Sequence, residues 1–129
     1  MSSEFRVTIP GQPPSANKQY ERRAGGLQLA RRSGVTTYAD LVTMLVREAK
    51  PGRFYPIGQV RLVFDFYLGR SVDADNMLKI LDDAIADGLG VDDHIFLPCV
   101  RTLTTKNPTK NIRTEVEVQW QQALRPLSE

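Results

Sequence analysis

The chain has 129 residues, 41% of them hydrophobic and 25% charged, with a formal net charge of +2. Such a composition belongs to an ordinary globular protein, and the length suits one domain with a single core, expected over about residues 4–120 of 1–129. It excludes a membrane helix, since no apolar run approaches the roughly 20 residues one needs, and the lone Cys99 excludes an internal disulfide or a cysteine-built zinc site.

EFRVTIP, residues 4–10, alternates polar and apolar side chains and predicts a strand that ends at GQPP. PPSANKQYERRAGG, residues 13–26, is dense in turn formers and bases and reads as a surface loop. In VTTYADLVTMLVREAK, residues 35–50, Tyr38, Leu41, Val42, Leu45 and Val46 recur at helical spacing, and Pro51 with Gly52 stops the helix. QVRLVFDFYL, residues 59–68, is a strand with Val60, Leu62, Phe64 and Phe66 on one face; aromatics so placed are core residues before they are stacking platforms.

Residues 73–87 carry Met77, Leu78, Leu81, Ala84 and Ile85 three and four apart, a helix capped by Asp73 or Asp75 and ended by Gly88. Two further strands follow, HIFLPCVRTLTTK, which includes His94, and NIRTEVEVQW, joined by a turn at NPTKN; the tail at 121–129 is expected to be short and mobile. The order strand, helix, strand, helix, strand, strand predicts an α+β fold: a mixed sheet of about four strands packed with two helices.

Charge divides unevenly along this chain. Residues 73–93 hold seven Asp against Lys79, a local −6, and leave +8 on the rest. A basic surface around an acidic patch suits a protein that grips a polyanion and holds a cation where chemistry occurs. Asp73 and Asp75 sit between strand and helix, where carboxylates two apart can point to one place and offer hard oxygens to one cation. If the turn after the helix returns Asp93 to them, three carboxylates and waters make a magnesium site. A helix cap worth about 1 kcal/mol accounts for one of the two Asp residues. Lys79, four residues from both Asp75 and Asp83, is either a surface ion pair or a cation beside the metal that stabilises a phosphate in its transition state.

Other chemistries fit less well. An EF-hand counted from Asp73 puts Leu78 where Gly is needed and Ala84 where Glu is needed. A hydrolytic triad would rest on His94 alone, and neither a P-loop nor a G-x-G-x-x-G occurs. Arg22, Arg23, Arg31, Arg32, Arg101, Lys106, Lys110 and Arg113 are available to grip phosphates.

D73-A-D75-N76-M-L-K79, then D83-A-I, then D92-D93, resembles the RusA family of Holliday-junction resolvases. The start is similar too: a strand ending in Pro, then P13-P14-S15-A16-N17-K18-Q19-Y20. The resemblance runs from about residue 4 to about 120 with its motifs in order. It implies a homodimeric Mg²⁺-dependent endonuclease, with Mn²⁺ as a substitute ion, that cuts four-way DNA junctions by two symmetric nicks. Carried over by position, Asp73, Asp75 and Asp93 are the catalytic metal-binding carboxylates and Lys79 the catalytic lysine. Asn17, Lys18, Tyr20, Arg22, Arg23, Arg70, Asn76, Lys106 and Lys110 form the implied DNA-contacting set. Two alternatives stay open: a junction-binding protein that cuts inefficiently, and a small Mg²⁺-dependent phosphatase. The opening MSSEFRVTIPG lacks the basic and apolar regions of a signal peptide, so the expected setting is the cytoplasm of a prokaryotic cell, of host or phage origin.

Overall fold

Alternation and helical periodicity resolve into nine elements in the computed structural model, which describes residues 2–14, 20–22, 29–31, 33–70, 74–106 and 111–126, the side chains of 20–22, 29–31, 33–35 and 74 excepted. They are β1 (Ser2–Pro10), β2 (Tyr20–Arg22), β3 (Leu29–Arg31), α1 (Ser33–Ala49), β4 (Pro56–Tyr67), α2 (Ala74–Leu89), a 3₁₀ turn (Asp93–Ile95), β5 (Phe96–Thr104) and β6 (Arg113–Gln122). The main sheet has the order β1-β6-β4-β5. Its β1–β6 and β6–β4 pairs are antiparallel, and β5 runs parallel to β4, with α2 as the crossover between them. The architecture is the expected α+β fold.

One face of the sheet forms the core. Leu62, Phe64 and Phe66 of β4 are fully buried with Ile9 of β1 and Val118 of β6, joined by Val42 and Val46 of α1 and Met77, Ile80, Leu81 and Ile85 of α2. Each such side chain contributes roughly 1.5–3 kcal/mol by leaving water. Phe64 and Phe66 stack with centroids 5.6 Å apart, so the β4 aromatics are packing residues.

The opposite face carries an ionic layer. Asp65, between the two core phenylalanines in sequence, accepts two hydrogen bonds from the Arg101 guanidinium. Glu117 lies 3.1 Å from Arg6 and 3.5 Å from Arg101, and accepts from Gln119 at 2.7 Å. Asp65 and Glu117 are only 8% and 6% exposed, roofed by guanidiniums. Hydrogen bonding to Arg101 holds the Asp65 carboxyl below the usual carboxylate range, and a hydrogen bond to Glu117 pushes Glu4 up. Arg113 pairs with Glu115 at 3.0 Å and lies 4.1 Å over the Tyr67 ring. The cationic charges of Arg101 and Arg113, read from sequence as phosphate grips, are thus matched by acids of the protein itself.

Four sequence expectations are corrected. The surface loop at 13–26 contains β2, whose Tyr20 pairs with Arg31 of β3; the ladder comes from a partner strand that the turn-former density of that stretch conceals. The tail is tied down at its start, for Gln121 and Gln122 extend β6, Ala123 donates its N–H to Tyr55 O at 2.8 Å, and the Gln122 amide oxygen accepts from Tyr55 N and from the buried Trp120 indole. His94 belongs to the 3₁₀ turn and not to a strand. Gly88 does not end the second helix, since α2 runs to Leu89. Gly90, at φ 73°, supplies the left-handed residue, with the Ala86 carbonyl accepting from the N–H groups of both Gly90 and Val91. The turn expected at 107–111 falls outside the described residues except at Asn111.

Gly88 has another task. A Cβ there would lie 2.8 Å from Val46 Cβ and 2.9 Å from the Thr43 carbonyl of α1, while Thr43 donates its hydroxyl to Ala84 O at 3.0 Å. Gly88→Ala gains about 1 kcal/mol of helix propensity. The overpacking cost of about 1–3 kcal/mol outweighs that gain, because the opposing atoms include backbone. The expected net is a loss of about 1 kcal/mol, read by urea denaturation; a more stable variant would mean that α1 and α2 separate freely.

Candidate functional site

Strand register gathers the candidate segments. Pro10 of β1 and Tyr67 of β4 both pair with Arg113 of β6, and Tyr67 pairs with Thr104 of β5. The segments after β1, β4 and β5 and before β6 therefore all issue from one end of the sheet. In sequence these are the stretches that carry Asn17 and Lys18, then Arg70, Asp73 and Asp75, then Lys106 and Lys110. Asn17, Lys18, Arg23, Asp73 and Lys110 lie outside the described residues, and Tyr20 and Arg22 are described only as backbone of β2. Arg70 is exposed; Lys106 is exposed with a left-handed φ of 64° just past β5; Asn76 is buried, at 8% exposure.

Asp75 falls in the first turn of α2, where an acid faces the positive end of the helix dipole. Asp75, Lys79 and Asp82 follow at i, i+4 and i+7 and share one helix face, with Asp75 and Lys79 exposed. After Gly90 the chain turns back to the 3₁₀ turn. Asp92 caps that turn, accepting from His94 N at 3.2 Å and lying 3.1 Å from His94 Nδ1; these contacts hold its carboxyl below the usual range. The negative charge of Asp93 bears on Asp82 of α2. The chain thus returns close enough to α2 for the charge of Asp93 to be felt at Asp82. Asp82 lies seven residues beyond Asp75, about 10 Å at 1.5 Å per residue.

Asp82 is the residue that sequence reasoning missed. It is half-buried, its Oδ1 is enclosed without a hydrogen-bond partner among the described residues, and burial, then Asp93, then Asp83 push its pKa up to about 6. The signal was present in the spacing of Asp82 from Asp75 and Lys79. Because the folded pKa lies above the ordinary value of 3.8, the folded state binds the proton more tightly. Stability conferred by that proton is complete at low pH and is lost as pH rises from about 4 through about 6. Asp82→Asn in metal-free buffer is expected to flatten this loss and to raise stability at pH 8 by on the order of 1 kcal/mol, after discounting for solvent exposure. Denaturant midpoints at pH 4.5 and 8 check it; an equal effect at both would place the Asp82 charge in open water.

The donors of this region fit Mg²⁺ in kind, being hard carboxylate oxygens, one of them buried and short of a partner. Among the described residues no three acidic, His or Cys side chains converge to hold an ion, and Asp73 is outside that set. A groove of about 380 Å³ lined by Ser2, Ser3, Glu4, Gln59, Gln119, Trp120 and Gln121 lies toward the opposite end of the sheet and contains none of the candidate residues. No helix among the described residues is long and apolar enough to cross a membrane.

The family model that matches this small α+β domain, over residues 10–119, is described as Endodeoxyribonuclease RusA. The chain belongs to the RusA family, a family of Holliday-junction resolving endonucleases. No curated protein matches it.

Proposed function

We infer that the protein is a Mg²⁺-dependent endodeoxyribonuclease that resolves four-way DNA junctions by paired symmetric nicks, acting as a homodimer on the near two-fold symmetry of its substrate. The observation that carries this reading is the issue of the segments bearing Asn17, Arg70, Asp75 and Lys106 from one end of the sheet, in a chain of this family. Asp73, Asp75 and Asp93 would hold the ion, with Mn²⁺ as a substitute. Bound there, a divalent cation supplies an activated water and neutralises charge on the scissile phosphate. Lys79, on the helix face of Asp75, stabilises the added negative charge as the phosphate becomes five-coordinate and the 3′ oxygen leaves. Asn17, Lys18, Tyr20, Arg22, Arg23, Arg70, Lys106 and Lys110 hold junction phosphates, reading shape more than base sequence. Asn76, next to Asp75 in the chain, belongs to the implied DNA-contacting set but is only 8% exposed.

A nicking assay on a synthetic four-way junction and a matched linear duplex, with and without Mg²⁺, tests this. Paired, ligatable nicks in the junction alone, dependent on metal, are expected. Junction binding without metal-dependent cutting would overturn the nuclease reading in favour of a binding protein, and turnover of a small phosphate ester would favour the phosphatase.

A further inference from the structure

The turn that leaves β4 for α2 is held by a side chain from another part of the chain. Gln12, two residues past β1, accepts the Gly69 N–H on its Oε1 at 3.0 Å and donates from Nε2 to the Arg70 carbonyl at 3.3 Å. One amide thus satisfies a backbone donor and a backbone acceptor on consecutive residues, in the manner of a neighbouring strand, just where strand pairing ends. The same turn is fixed from two further sides. Leu68 N donates to Thr104 O at 2.7 Å, and a Cβ on Gly69 would lie 2.5 Å from Ile112 Cδ1, so β6's entrance presses on it. Ile112 in turn accepts the Gly11 N–H at 3.1 Å, tying Gln12's own stem to the same spot.

Arg70 precedes Asp75 by five residues, and the far side of that short span is fixed by α2, whose Met77, Ile80 and Leu81 are buried. We propose that Gln12 is a positioning residue for Asp75 in the first turn of α2: through Gly69 and Arg70 it sets where the strand-to-helix connection begins. Gln12 also leads directly into Pro13 and Pro14, so the segment toward Asn17 and the segment toward Asp75 leave from one hydrogen-bonded unit. This inference rests on the reading of Asp75 as a metal ligand.

The experiment uses the whole chain as wild type, Gln12→Ala, Gln12→Glu and Asp75→Asn. Its readouts are Mn²⁺ binding by calorimetry without DNA, single-turnover nicking of the junction across a Mg²⁺ series, and junction affinity in EDTA. Gln12→Ala is expected to weaken Mn²⁺ binding and raise the half-activating Mg²⁺ concentration by about 10-fold, the scale set by residues that support a metal ligand, with junction affinity in EDTA within about twofold because no phosphate-gripping base is removed. Gln12→Glu keeps the acceptor for Gly69 N–H, loses the donor to Arg70, and is expected to fall between; it decides the matter by the same readouts if the alanine variant fails to fold. A lower melting temperature with unchanged Mn²⁺ affinity and unchanged Mg²⁺ dependence would overturn the proposal, leaving Gln12 as a structural tie. If Asp75→Asn loses metal and cutting while both Gln12 variants keep them, only this inference fails; if Asp75→Asn keeps both, the underlying site assignment fails.

Discussion

Asp75→Asn is expected to lower single-turnover nicking of a four-way junction by about 10²- to 10³-fold, the range seen when one charge-stabilising group of a reaction centre is removed. Asp75 is exposed in the first turn of α2, so the amide disturbs no core contact, and Asn preserves its shape. What changes is the formal charge: a neutral amide oxygen is a poorer ligand for a hard divalent ion than a carboxylate. Junction affinity in EDTA should hold or rise slightly, since an acid beside a polyanion has been neutralised. Gel-shift and rapid-mixing nicking measurements separate the two effects. Nicking at the wild-type rate would return Asp75 to the role of a helix-start acid, worth about 1 kcal/mol or less to stability.

Lys79→Met should lower the same rate by about 100-fold, or about 2.7 kcal/mol of barrier at 1.36 kcal/mol per decade. Met keeps the length and apolar stem, so helix propensity and packing barely change. Lys79 shares its helix face with Asp75 and Asp82, which places a cation amid the negative segment of a chain whose other bases lie elsewhere. Loss of ground-state affinity should be small, because one phosphate contact among many is removed. A drop in affinity with the rate of the bound complex intact would make Lys79 one more phosphate contact. Unchanged rate and affinity would make it a surface ion-pair residue worth a few tenths of a kcal/mol.

Much of the architecture was legible in the sequence because its period is local. The every-second-residue pattern Val60, Leu62, Phe64, Phe66 and the three-and-four spacing of Met77, Leu81, Ala84 and Ile85 each report one buried face, and all eight side chains are buried. What escaped was set by partners distant in the chain. β2 is three residues long and exists through its ladder with β3. Asp65 interrupts an apolar run for a reason that lies 36 residues on, at Arg101. Gly88 looked like a helix stop because its contact, the α1 backbone at Thr43, is invisible from its neighbours. In the candidate site, the acidic pairs and Lys79 stood out by type and spacing, whereas Asp82 is distinguished by its burial and by the charge of Asp93, neither of which its own neighbours report.

The place of β6 in the sheet bears on how the chain acquires its shape as it is made. β6 lies between β1 and β4 yet follows both, and Ser2 pairs with Gln121 across nearly the whole chain. While the ribosome is still adding residues before Arg113, β1 has no neighbour in the main sheet and β4 has one side open. The parallel β4–α2–β5 unit can dock early, but closure of the core over Ile9 waits for the last strand to emerge. So non-local an order of pairing puts the slow, concerted step after β6 has been made rather than before it. Until then an incomplete strand edge stays open to pairing with other chains.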